Sequence, residues 1–174
     1  MKQLDIDPQR CIGCRSCELA CALQNDGVMA AGHARIDVIR FDQSREYGLP
    51  RHRIFTCRQC RDAPCLAVCP QGAIAFGGDD DQALCVDRDA CNGCGLCVRA
   101  CPFGAIRIDP AARKAYKCEL CGGEPACVAI CPTEAVTFVE KEPFRSENTA
   151  LQMRGIAILK KDRGREKPKT DSVK

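Results

Sequence analysis

Residues 91–106 read CNGCGLCVRACPFGAI. Cys91, Cys94 and Cys97 each stand two residues apart, so one tight loop can turn all three sulfurs toward one centre. Cys101 follows at i+4 and Pro102 behind it. If the intervening stretch is a helical turn, Cys97 and Cys101 lie about 6 Å apart along its axis. Proline then bars further helix, because it lacks an N–H and clashes backwards. The first three cysteines and the fourth therefore part company, and the short helix spans two neighbouring centres. Working outward, three more sets of four cysteines occur, two of them with a wider second gap. The other sets are Cys11, Cys14, Cys17 and Cys21; Cys57, Cys60, Cys65 and Cys69; and Cys118, Cys121, Cys127 and Cys131. Sixteen of the 17 cysteines are used in this way. Three sets end in Cys-Pro followed by a β-prone stretch: QGAIAF after Pro70, FGAIRI after Pro102 and TEAVTF after Pro132. The segments HRIF (52–55), ALCVD (83–87) and KAYK (114–117) are predicted strands leading into sets. The spacing predicts iron ligation by thiolates, with four full [4Fe–4S] clusters.

Composition agrees with an inorganically stapled chain. Among 174 residues aromatics make up 5% and Trp is absent, so the apolar core is thin. The segment MKQLDIDPQR (1–10) has no apolar stretch and no twin arginine, so a cytoplasmic chain is expected, and no run is long enough to span a membrane. In a reducing compartment, C-x-x-C spacing reads as metal ligation rather than disulfide. Structural zinc also takes four cysteines, commonly as two distant C-x-x-C knuckles, and triples such as 91-94-97 with recurrent Cys-Pro fit it poorly. The formal charge of +3 counts every cysteine as a neutral thiol. Four clusters, each about −2 with its thiolates, bring the protein to about −5, which removes any case for nucleic-acid binding.

The repeated unit resembles the bacterial two-cluster ferredoxin, present twice, and the expected fold class is α+β with two interleaved ferredoxin-like modules. The phrases CIGCRSCELAC, CRQCRDAPCLAVCP, CNGCGLCVRACPFGAI and KCELCGGEPACVAICPTEA resemble the four-cluster electron-transfer subunits of multi-subunit oxidoreductases over about residues 5–140. That group includes subunits of molybdenum and tungsten pterin enzymes, formate dehydrogenases, hydrogenases and carbon monoxide dehydrogenase. The compact chain is similar to the small subunit of bacterial tungsten aldehyde oxidoreductases. The resemblance implies a catalytic pterin subunit as one partner and a flavin/NAD subunit or a ferredoxin as the other. It also implies a ligand exchange between sets one and four and between sets two and three. One cluster would take Cys11, Cys14, Cys17 and Cys131, and its neighbour Cys118, Cys121, Cys127 and Cys21. A third would take Cys57, Cys60, Cys65 and Cys101, and the last Cys91, Cys94, Cys97 and Cys69.

Several segments fall outside the repeat. Set one has Ala22 where the others have proline, so its helix can run on toward Asn25 and Gly27. An insertion at 25–56 holds a predicted strand, RIDVIRF (35–41). The wider gaps Arg61 to Pro64 and Gly122 to Ala126 either wrap a cluster or open it to a partner. Residues 1–139 are expected to form the cluster domain. Residues 140–174 are expected to form a partner-docking extension, with a helix from Ser146 through about Lys161, a basic end, and self-association as one version of its role. Cys85, in Leu84-Cys85-Val86, reads as an inert buried thiol rather than a ligand. His33 and His52 read as surface or hydrogen-bonding residues. Arg51, Arg53, Arg58 and Arg61 crowd set two as a solvated basic face or a docking and potential-raising group. No nucleotide loop or acid–base set appears, so the chain is expected to be non-catalytic. Three functions follow: a relay subunit of an oxidoreductase, a freestanding polyferredoxin, or a zinc-stapled interaction module.

Overall fold

A short strand enters each cysteine set and another leaves it. In the computed structural model the described residues are 1–41, 48, 50–77 and 83–145. They form β1 (Lys2–Ile6), β2 (Ile36–Arg40), β3 (His52–Thr56), β4 (Ile74–Gly77), β5 (Ala83–Val86), β6 (Ile106–Ile108), β7 (Ala115–Lys117) and β8 (Val136–Glu140). Each strand leaving a set pairs antiparallel with the strand entering the next: β2 with β3, β4 with β5, and β6 with β7. The ring closes where β8, leaving set four, pairs with β1, entering set one. β2–β3 and β6–β7 thereby join the half built on sets one and four to the half built on sets two and three. β1 was not anticipated, although Leu4 and Ile6 alternate in it; Leu4 faces Phe138 across the ribbon.

Isolated two-stranded ribbons are marginal in water, so their inner faces must carry the stability. Alternation supplies those faces. Ile36 and Val38 are buried in β2 and lie opposite Thr56 and Ile54 of β3. Two buried clusters result, and cysteines line both. Leu4, Ile36, Ile54 and Val136 pack with cysteines of sets one and four. Ile74, Leu84, Val86 and Ile106 pack with cysteines of sets two and three.

The four helices follow the proline rule. They are α1 (Ser16–Asp26), α2 (Pro64–Ala67), α3 (Leu96–Ala100) and α4 (Ala126–Ala129). Proline stops three of them after 4, 5 and 4 residues, whereas α1, with Ala22, runs for 11. Gly27 ends α1 at φ 68°, and its N–H bonds the Leu23 carbonyl at 3.0 Å, a left-handed cap.

Two further ties cross the halves. Arg107 donates to the Ala34 carbonyl at 3.2 Å and pairs with Asp37. The strap after β8 runs back over the second half, where Phe144 stacks edge-on against Phe103 at 5.3 Å and its carbonyl accepts the Arg61 N–H. The predicted helix from Ser146 and the basic end lie outside the described residues. Among the described residues no helix is long and apolar enough to cross a membrane.

Candidate metal centres

The cysteine loops are shaped by left-handed backbone positions. In set one Gly13 and Arg15 have φ of 75° and 62°; in set three Gly93 and Gly95 have φ of 72° and 74°. These alternations curl each loop so that its three sulfurs converge. A Cβ at Gly93 would lie 2.0 Å from the Arg113 carbonyl oxygen, and one at Gly13 would lie 2.4 Å from the His52 ring. Only glycine fits either cradle. Sets two and four use Gln59 (φ 49°) and Leu120 with Cys121 (φ 60° and 49°) instead.

Three cysteine-walled hollows result, with volumes counted out to their open mouths. Cys11, Cys14, Cys17 and Cys131 wall one of about 310 Å³. Cys21, Cys118, Cys121 and Cys127 wall another of about 320 Å³. Cys69, Cys91, Cys94 and Cys97 wall a third of about 320 Å³. Of the remaining four, Cys57 and Cys101 add to the burial that raises the thiol pKa of both Cys60 and Cys65. The helices produce this exchange. α1 packs on α4 and α2 on α3, and the last cysteine of each set is delivered to its partner's quartet.

Twelve of the sixteen predicted ligands thus line three shared hollows, four to each. Cys85 joins none of them; it is half-buried in β5, its sulfur 3.7 Å from the Ala83 carbonyl, and burial raises its thiol pKa. Among the described residues no three Cys, His, Asp or Glu side chains lie close enough together to hold one metal ion. The sets differ at the middle cysteine, which is exposed in sets one and three (Cys14, Cys94), buried in set two (Cys60) and half-buried in set four (Cys121), while Cys17, Cys65, Cys97 and Cys127 are all buried.

The electrostatics favour a cationic centre. Burial pushes Cys17 and Cys60 up to about 12 and Cys65 and Cys118 up to about 11. At Cys127 burial comes first and the neighbouring Cys118, Cys21 and Cys121 add to it. Four buried thiolates facing each other are costly unless positive charge lies between them. An iron–sulfide core supplies that charge and takes soft sulfur donors, so the residues present fit a [4Fe–4S] cluster. Hydrogen bonds to sulfur are already in place. The Arg35 N–H reaches Cys21 Sγ at 3.2 Å and the Ala115 N–H reaches Cys91 Sγ at 3.3 Å. At Cys131 burial opposes ionisation, but the N–H groups of Val136 and Thr133, the Thr133 hydroxyl and the Ala135 N–H outweigh it and lower the pKa. Such bonds favour the reduced cluster.

The other singled-out residues have plain surroundings. His52 packs on Gly13 with Nδ1 3.4 Å from the Cys11 carbonyl, and His33 lies 3.7 Å from Asp26. Arg53 and Arg61 lie over the rings of Phe41 and Phe76, at 5.1 and 5.4 Å, while Arg51 and Arg58 are exposed. Sequence reasoning missed three buried polar residues beside the quartets: Glu18, Gln59 and Lys117. For Lys117 the signal was present, because alternation in KAYK puts it on the same inward face as Ala115.

Cysteine quartets set on ferredoxin-like strand–helix units define an iron–sulfur protein. The chain belongs to the 4Fe-4S dicluster domain family, whose models match residues 10–74 and 52–141. It is 38% identical over 142 residues to the thiosulfate reductase electron transfer subunit PhsB of Salmonella typhi, covering 76% of this chain and 72% of that one. It is 36% identical over 154 residues to protein NrfC of Escherichia coli K12, covering 83% and 68%. It is 38% identical over 126 residues to the polyferredoxin-like subunit of the aliphatic sulfonate oxidoreductase of Pyrococcus furiosus, covering 72% and 69%.

Proposed function

We propose that the chain is the non-catalytic electron-transfer subunit of an oxidoreductase complex, relaying single electrons through four [4Fe–4S] clusters in a row. The ligand sets are Cys11, Cys14, Cys17 and Cys131; Cys118, Cys121, Cys127 and Cys21; Cys57, Cys60, Cys65 and Cys101; and Cys91, Cys94, Cys97 and Cys69. The observation that carries the reading is the exchange itself: three hollows each hold three cysteines of one set and the last cysteine of another. Exchange ties clusters pairwise through α1 with α4 and α2 with α3. The influence of Cys57 on Cys118 supports adjacency of the two inner quartets. The exposed Cys14 and Cys94 then mark the ends of the row. The clusters supply one-electron chemistry, and the protein's part is spacing, hydrogen bonding to sulfur and exclusion of water.

The relatives named as electron-transfer or polyferredoxin subunits support a fixed catalytic partner over a freestanding shuttle. For that partner the proposal is a tungsten or molybdenum pterin enzyme, an aldehyde oxidoreductase by the sequence resemblance, with a flavin/NAD subunit or ferredoxin at the other end. Anaerobic purification tests the reading. About sixteen irons and as many sulfides per chain are expected, against roughly four zincs for an interaction module. A colourless chain without labile sulfide overturns it. Purification from the native host, with metal analysis of whatever co-elutes, tests the partner.

A further inference from the structure

Three polar side chains meet where the two halves join. β4 covers one edge of β5, and side chains serve the other. Gln59 Oε1 accepts the Leu84 N–H at 2.8 Å, and Glu119 Oε1 accepts the Val86 N–H at 2.8 Å. Gln59 Nε2 donates to the Cys118 carbonyl at 2.9 Å. Lys117 Nζ donates to that same carbonyl at 2.8 Å and to the Leu84 carbonyl.

Lys117 is 2% exposed, and among the described residues no carboxylate pairs with it. Its two acceptors are neutral. A buried ammonium held only by carbonyls is costly, and a staple needs no charge, since neutral Gln59 makes the same kind of tie beside it. Glu119, the one carboxylate of the trio, is bonded to the Val86 N–H and makes no ion pair with Lys117, which leaves the charge free to act on the quartets on either side. What lies beside it is the backbone of both inner quartets: Nζ holds the Cys118 carbonyl of one at 2.8 Å, and Gln59, between Cys57 and Cys60 of the other, holds that same carbonyl at 2.9 Å.

We propose that Lys117 is the counter-charge of the two inner clusters, holding their potentials up so that an electron crosses the seam between the halves. The inference rests on the four-cluster reading above. Each step moves one electron from a reduced cluster to its oxidised neighbour; no bond is made or broken and no proton moves. Burial alone makes the inner clusters the harder ones to reduce, and a fixed positive charge between them offsets that.

The test uses the full chain, loaded anaerobically, with iron, sulfide and spin counts taken first. A parental protein without four clusters sinks the four-cluster reading, and this inference with it, before any variant is compared. Redox titration followed by electron paramagnetic resonance then compares the parent with Lys117→Met, Lys117→Gln and Lys117→Arg. A dysprosium chelate in solution broadens the outer signals, beside exposed Cys14 and Cys94, and identifies the inner pair. The two neutral variants are expected to shift both inner potentials downward and leave the outer two at parental values, while Lys117→Arg keeps all four. Unchanged inner potentials, or an equal shift at all four, overturn the proposal. So does failure of both neutral variants to load clusters, which would make Lys117 a structural staple.

Discussion

Sets one and three carry unbroken C-x-x-C-x-x-C triples, and each leaves its middle cysteine, Cys14 or Cys94, at the surface. Sets two and four widen the second gap to four and five residues, and their quartets hold Cys60, Cys65, Cys118 and Cys127 in the interior. The wider loops carry Pro64 at the first position of α2 and Pro125 just before α4, where a missing N–H costs nothing. Arg61, Asp62 and Gly122 to Glu124 stay exposed, while Cys65 and Cys127 at the far ends of the two loops are buried. One ligand pattern thus gives two environments. The compact triple opens a site to the surface, and the widened loop closes one.

Removing the iron tests what the two environments share. Both buried clusters are cysteine-lined, so neither end nor middle has an apolar core that stands without metal. Oxidative cluster release followed by chelation is expected to abolish the cooperative thermal transition of the whole chain. Circular dichroism checks this, and a metal-free chain that still melts cooperatively breaks the argument. Single ligand replacements separate the two environments. Cys127→Ser leaves a hydroxyl in a closed site, whereas Cys14→Ser places one in contact with water. Cys127→Ser is expected to melt at least about 4 °C below Cys14→Ser and to retain less iron. Equal losses would erase the distinction between inner and outer sites.

Within one outer loop the comparison sharpens. Gly93 and Gly95 both have positive φ, yet a Cβ at Gly93 meets the Arg113 carbonyl at 2.0 Å and one at Gly95 meets nothing within 4 Å. Gly95→Ala incurs only the left-handed penalty, about 1 kcal/mol, and Arg15 at the corresponding place in set one shows that a side chain is accepted there. Gly93→Ala adds a backbone collision and is expected to cost about 3 kcal/mol or more. Denaturant unfolding of the loaded proteins measures the gap.

The cysteine sets, the strands behind Cys-Pro and the long α1 were legible because each follows from local rules: ligand spacing, a proline stop, and Ala22 in place of proline. β1 escaped because MKQLDIDPQR was read only for a leader, and its pairing with β8 spans nearly the whole chain, which no local rule encodes. The ring of ribbons is non-local in the same way. Its members were recognisable singly, but β2 pairing with β3 across the insertion was not. Gln59 escaped for a different reason. A polar residue's burial depends on finding partners, and its own, the Leu84 N–H and the Cys118 carbonyl, come from other segments. The quartet memberships rested on resemblance, because spacing alone says only that the fourth cysteine leaves its set.

Ion pairs beside an inner and an outer quartet give the smallest expected effects. Arg35 lines the inner hollow of Cys21 and Cys118, and its guanidinium grips Asp26 with two bonds of 2.7 and 2.9 Å. That hydrogen bonding, against some burial, holds the Asp26 carboxyl below the ordinary carboxylate range. A carboxylate whose pKa is depressed on folding stabilises the native state above its unfolded value, near about 4, and loses that contribution as pH falls through the folded value. Asp26→Asn is therefore expected to cost about 1 kcal/mol at pH 7, with the gap to the parent flat down to about pH 5 and narrowing only below about pH 4. A gap that already changes between pH 7 and pH 5 would assign the effect to another group. Beside the outer quartet, Arg10 and Glu134 make one bond of 2.8 Å with side chains 49% and 71% exposed. Water and salt screen that pair, so Glu134→Gln is expected to change stability by less than about 0.5 kcal/mol. If the exposed pair proved worth as much as the part-buried one, partial burial would not be what strengthens the polar contacts around the inner hollow.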